Sequence, residues 1–201
     1  MNVINKLREE TLYYFSRNNK IIEGRTDYVS EDNKYHIVKN VFRQTKPGTN
    51  WNVAEIEIFD SKNLLISTLL IDDAYFFHKW MKINNIQYLL FAERLCGGNS
   101  ILNLNTGSMQ SFADGTDGFI CVEYFPSLDN KFLAVSGCFW GSPNSVMVYD
   151  IANAENLPWP VLTEIDLDGL ECSDLTWDGS SLVIYKNVND VKSVSRKLEI
   201  K

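Results

Sequence analysis

At 201 residues, 45% hydrophobic and 22% charged, the chain has the make-up of a folded protein with material for one domain or an array of repeats. Its net charge of -7 argues against a nucleic-acid partner, because that binding depends on Lys and Arg displacing phosphate counterions. The stretch MNVINKLREE is charged almost at once and has no continuous apolar run, so neither a signal peptide nor a membrane anchor is expected there, and the expected location is cytoplasmic.

Charge is unevenly spread. Residues 1–25 carry five basic and three acidic side chains and residues 182–201 five and two, which leaves a middle of -12. In chain order, residues 3–10 read as a short helix with Glu9 and Glu10 exposed. TLYYFSRNNKIIEGR, residues 11–25, has two apolar runs around Asn18-Asn19 and reads as strand. The stretches 27–72 and 123–167 can then be laid over each other. Each has an Asp-Asn-Lys turn before an aromatic residue (Asp32-Asn33-Lys34-Tyr35; Asp129-Asn130-Lys131-Phe132) and an apolar run. Each continues with a Pro-containing loop and a strand ending in aromatic-Asp (Phe59-Asp60; Tyr149-Asp150). A third copy, residues 78–114, has Asn84-Asn85 at the turn, and a shorter fourth has Asp178-Gly179. Asn33, Asn85, Asn130 and Gly179 are 52, 45 and 49 residues apart, the period of propeller blades or solenoid repeats.

FPSLDNKFLAVSG followed by VMVYDI resembles the second and third strands of a WD-repeat blade, with Tyr149-Asp150 and Phe59-Asp60 standing where that family has Trp-Asp. The resemblance implies an all-β fold. About four antiparallel blade-like sheets would form a small β-propeller or an open partial propeller in one domain. The expected blades are 27–72, 73–115, 119–168 and 172–201. The last lacks a fourth strand, which the N-terminal segment 1–26 is expected to supply, since exchange between chain ends removes two sheet edges.

Four cysteines (Cys96, Cys121, Cys138, Cys172) are widely spaced with no CxxC, the pattern of reduced thiols rather than a zinc site, and no cofactor is implied. GCFWG, residues 137–141, resembles the nucleophile motif of methionine sulfoxide reductase A, in which the Cys attacks the sulfoxide sulfur. No Glu stands immediately after it, and no later stretch resembles the acidic, Tyr and Cys segments that follow it in that family. No Lys or Arg lies between Lys131 and Lys186 to lower the thiol pKa. The stretch therefore reads as a strand end, with Cys138 a small semi-apolar residue and GSPNS a hairpin loop.

Equivalent loops in the first three blades are TKPGTNWN, RLCGGNS and FWGSPNS. They bring Trp51, Arg94, Phe139 and Trp140 toward one rim, and such residue types favour protein partners. The expected function is non-enzymatic: an acidic protein-binding module, of inhibitor or immunity type, acting on a basic partner. The alternatives are a propeller hydrolase using Asp72, Asp73 and His78, and a structural homodimer. Only two histidines are present, which argues against a multi-histidine metal centre.

Overall fold

The computed structural model describes residues 3–12, 15, 21–43, 52–95, 97–113, 118–167, 172–188 and 191–200. Among the described residues one helix, α1 (Val3–Leu12), precedes fifteen strands. These are β1 (Ile21–Val29), β2 (Tyr35–Arg43), β3 (Asn52–Asp60), β4 (Leu65–Ile71), β5 (His78–Ile83), β6 (Ile86–Phe91), β7 (Asn99–Asn103) and β8 (Met109–Phe112). β9 (Ile120–Pro126), β10 (Phe132–Cys138), β11 (Asn144–Asp150), β12 (Val161–Asp166), β13 (Cys172–Asp178), β14 (Ser181–Val188) and β15 (Val191–Glu199) follow. They form four antiparallel meanders in chain order: β1–β4, β5–β8, β9–β12 and the three-stranded β13–β15.

Period-two side-chain alternation links each of the two middle sheets to two neighbours. In β11, Val146 and Val148 enter one apolar cluster with Leu175, Trp177, Leu182 and Ile184 of the fourth sheet. Met147 and Tyr149, on the opposite face, join a cluster with Leu90 and Ile101 of the second sheet. In β6, Tyr88 and Leu90 belong to that same cluster, while Leu89 and Phe91 pack with Ile37, Ile56 and Ile58 of the first sheet. Three apolar layers thus sit between four successive sheets, so the two middle sheets are apolar on both faces. In β3, Ala54, Ile56 and Ile58 are fully buried on one face, while the other face carries half-exposed Glu55 and Glu57 beside a buried Val53. The outer face of the fourth sheet carries the ion pairs Lys192–Asp174 and Lys197–Asp178. Its charged character is that of a terminal repeat facing water. The first strands approach one another, β5 against β9 and β9 against β13, which places them on the inner side of the array.

The repeated turns are built alike. Ser30 Oγ donates to Asp32 Oδ1 (2.8 Å) and accepts from Tyr35 N (3.1 Å), and Asn33 takes φ 56°. Ser127 Oγ donates to Asp129 Oδ1 (2.8 Å) and accepts from Phe132 N (3.0 Å), with Asn130 at φ 55°. Asn tolerates the left-handed region better than other side chains bearing a Cβ, so the Asp-Asn-Lys signal has a backbone cause. The aromatic-Asp pairs also have a local role. The Asp60 carboxylate accepts from the N–H groups of Lys62 and Leu64, and that of Asp150 from Ala152 N, ordering the chain after the third strand.

One expectation is corrected. Residues 21–25 do not complete the last sheet: they belong to β1, which pairs with β2 from Ile21↔Arg43 to Val29↔His36. Among the described residues the fourth sheet keeps three strands. The Ser30–Tyr35 turn closes a hairpin locally, whereas exchange with β15 would require closing a loop across the whole array. Tyr28 also packs against the first apolar layer from β1. Residues 13, 14 and 16–20 of the expected closing segment lie outside the described residues.

Helix α1 lies against the last strands of the first two sheets, β4 and β8. Ile4, Leu7 and Thr11, spaced along one face, are buried, while Glu9 and Glu10 are exposed. Arg8 locks the helix through Nε–Glu93 Oε2 and Nη2–Glu93 Oε1, both 2.7 Å, and Nη2–Ser111 Oγ, 2.8 Å. Glu93 also accepts from Ser100 and Ser111 at 2.5 Å. Burial pushes its pKa up, but Arg8 and the two hydroxyls outweigh that and hold the carboxyl below its ordinary value.

Candidate functional site

In these meanders the second-to-third strand loops and the connections between sheets emerge at one edge, and the remaining turns at the other. The edge carrying the inter-sheet connections holds residues 72–77, 92–95, 97–98 and 139–143. It therefore gathers Asp72, Asp73, Arg94, Phe139 and Trp140. Trp51 also falls in a second-to-third strand loop, but it and Cys96 lie outside the described residues.

GCFWG spans the end of β10 and its loop, and each residue has a distinct position. Gly137 pairs with Cys121 at a register shift, where a Cβ would overlap the Ile120 carbonyl oxygen and come within 2.8 and 2.9 Å of the Phe119 ring. Only glycine fits that approach. Cys138 ends the strand opposite Asn144 and is partly buried. Phe139 turns inward against Phe119, edge to face at a centroid distance of 5.3 Å. Gly141 takes φ 76° in the loop, closed by Ser142 N to Phe139 O at 2.9 Å. Trp140 is left projecting, 72% exposed.

Arg94 is spent on support. Its Nε donates to Asp72 Oδ2 (3.1 Å), while the other Asp72 oxygen accepts from Leu95 N (2.9 Å). The Arg94 side chain is only 18% exposed, and among the described residues its buried Nη1 has no hydrogen-bond partner. The pair braces two loops of the edge. Asp73 accepts from Tyr75 N at 2.9 Å, and burial pushes its pKa above the ordinary value. The ring of His78 meets its Nδ1 partner at Phe76 O (3.0 Å), stacks on Phe76 at 4.8 Å, and lies edge-on to Tyr28 and Trp80. Burial lowers its pKa, as do Lys39 and Lys79. Asp72, Asp73 and His78 are near in sequence but engage different partners. Among the described residues, no group of three His, Cys, Asp or Glu side chains is arranged to hold a metal.

Sequence reasoning missed Tyr75, which is 66% exposed at the same edge and stacks on Phe77 at 5.9 Å. The run AYFFHKW showed the aromatics without revealing which of them faces solvent. Among the described residues, no helix is long and apolar enough to cross a membrane.

No protein family and no curated protein sequence matches the chain. Among solved structures it is similar to the dihydro-heme d1 dehydrogenase NirN in complex with DHE, with TM-score 0.54 and 11% identity over 87% of this chain and 37% of that one. It is also similar to the β-propeller domain of Myceliophteria thermophila Cps50 (Swd1), with TM-score 0.46 and 10% identity over 89% and 73%. A third is the Pseudomonas aeruginosa periplasmic gluconolactonase PpgL, with TM-score 0.40 and 9% identity over 90% and 72%. Identities of this order speak to fold alone. Four antiparallel sheets, stacked face to face with their first strands inward, make the chain an array of β-propeller-like blades in an open partial propeller.

Proposed function

We propose that this chain is a non-enzymatic, cytoplasmic protein-binding module that presents the edge bearing Trp140 to a basic protein partner, as an inhibitor or immunity-type protein would. The observation that carries this reading is the position of Trp140: 72% exposed, on a loop whose neighbours Phe139 and Gly141 are held in place. An exposed tryptophan on a fixed backbone loses little entropy on binding and has a large apolar area to bury. Tyr75 extends the same edge, the Asp72–Arg94 brace stiffens it, and Trp51 is proposed to add to it. The -12 charge of the middle of the chain would speed encounter with a basic surface.

The hydrolase alternative has less support, because the His78 ring is stacked and its Nδ1 engaged with a backbone carbonyl. A homodimer through paired open blade edges is less favoured at the fourth sheet, because its edge strand β15 carries Lys192, Arg196 and Lys197 and charged edge strands resist pairing.

The test is capture of a partner from cells that make this protein, comparing wild type with a Trp140→Ala/Tyr75→Ala variant and a Leu128→Ala control. Leu128 is 85% exposed on a turn at the other edge. A band lost only in the double variant, with melting temperature unchanged and with release by raised salt, is the expected result. Retention of the same bands by all three proteins would overturn the reading.

A further inference from the structure

A cavity of about 280 Å³ lies between the second and third sheets. Its walls include Phe112 from β8, Phe119 and Phe139 from the loops flanking β9 and β10, Tyr149 from β11 and Trp159 from the β11–β12 connection. Two of these pairs meet edge to face, Phe119–Phe139 at 5.3 Å and Tyr149–Trp159 at 6.1 Å, so rings stand at steep angles to one another around the space. Trp159 is pinned by its Nε1, which donates to Ala154 O at 2.7 Å. Phe119 is seated by the missing Cβ of Gly137. The walls are therefore held in place before any ligand arrives.

The polar lining is sparse and local. Asn99 Oδ1 accepts a long contact from Cys121 Sγ at 3.5 Å, and among the described residues nothing accepts from the Asn99 amide nitrogen. No charged side chain of the described residues lines the cavity. Burying an ion there would carry a large uncompensated desolvation cost, which selects against anions and strongly hydrated cations. An apolar cavity of about 150 Å³ is enough to hold benzene, so one nearly twice that size suits a two-ring molecule.

We propose that this cavity is a binding site for a small, uncharged, planar aromatic molecule of one or two rings that carries one hydrogen-bonding group, satisfied by Asn99. The rings of the ligand pack between the orthogonal aromatic walls, and its polar edge meets the carboxamide. The cavity shares Gly98 and Phe139 with the loops of the partner-binding edge, and Trp140 follows Phe139 in the chain.

Indole is the probe. Titration of the full chain, followed through the Nε1–H resonance of Trp159, should show saturable one-site binding with a dissociation constant on the order of 0.1–1 mM, reasonable for nine heavy atoms. Leu157 also lines the cavity, and Leu157→Trp, which fills the space, should weaken binding at least about tenfold. Asn99→Ala should weaken it by roughly fivefold while leaving benzene binding unchanged. Should Leu157→Trp not fold, nuclear Overhauser contacts from indole to Phe139 and Trp159 in the wild type decide in its place. The proposal is overturned by no saturation up to about 5 mM indole, by equal binding in a folded Leu157→Trp, or by contacts to other residues only. It is overturned equally by choline binding more tightly than indole, since that would make the cavity a cation cage.

Discussion

Gly137→Ala adds one methyl group at a point where two strands and an aromatic ring converge. The new Cβ would overlap the backbone carbonyl oxygen of Ile120 and stand 2.8 and 2.9 Å from the Phe119 ring. A ring can move, but a carbonyl in a paired strand moves only if the ladder opens at Cys138↔Ile120 and Gly137↔Cys121. Overpacking of this kind costs about 1–3 kcal/mol, and losing one or two ladder hydrogen bonds adds roughly 0.5–1.5 kcal/mol each. A total of about 3–4 kcal/mol is expected, which for a chain of this length lowers the melting temperature by roughly 6–16 °C. Calorimetry on wild type, Gly137→Ala and Gly141→Ala provides the assay. Gly141 has φ 76° but open space around its Cβ, so alanine there should cost only about 1 kcal/mol of backbone strain. If Gly137→Ala melts within about 1 °C of wild type, or no lower than Gly141→Ala, the close approach is not what requires glycine and the account of GCFWG fails.

Arg8→Ala should destabilise the docking of α1 by about 2–3 kcal/mol, below the 3–5 typical of a broken buried pair because Arg8 is 37% exposed. Faster amide exchange across residues 3–12 would report it, and unchanged exchange would count against the clamp. Glu93 titrates lower in the folded than in the unfolded chain, so its contribution is complete above the unfolded value of about 4.3 and disappears as pH falls through the lower folded one. Glu93→Gln should accordingly melt lower at neutral pH and show a flatter acid limb than wild type, and a parallel acid limb would contradict this assignment. Cys121 is fully buried and its thiol is pushed up to about 12 by burial, so it should resist iodoacetamide at pH 8 in the folded chain. Peptide mapping that finds it modified as fast as in denaturant would refute that. Ser30→Ala and Ser127→Ala, which remove equivalent hydroxyls from equivalent turns, should each cost about 1 kcal/mol. Clearly unequal costs in urea unfolding would argue against treating the two turns as one repeated device.

What the sequence by itself determined was local. The Asp-Asn-Lys turns, the aromatic-Asp strand ends and the alternation of VAEIEIF depend on contacts within a few residues or on the two-residue pleat, so they point to blades before any packing is known. The strand-end reading of Cys138 rests on the same local logic, and β10 does end there. Whether a run serves one apolar layer or two was less legible: VMVYD shows only that β11 is apolar, while its two faces enter different clusters because sheets lie on both sides. Tertiary structure alone decided that β1 pairs with β2 and, among the described residues, leaves the last sheet three-stranded, since both partners offered a strand edge and chain proximity favoured one. It also decided that Arg8 reaches Glu93, 85 residues away, and that Phe139 turns into a cavity while Trp140 faces water. Adjacent residues of the same type take opposite fates there because burial depends on which surfaces meet, and that is settled only when distant sheets pack.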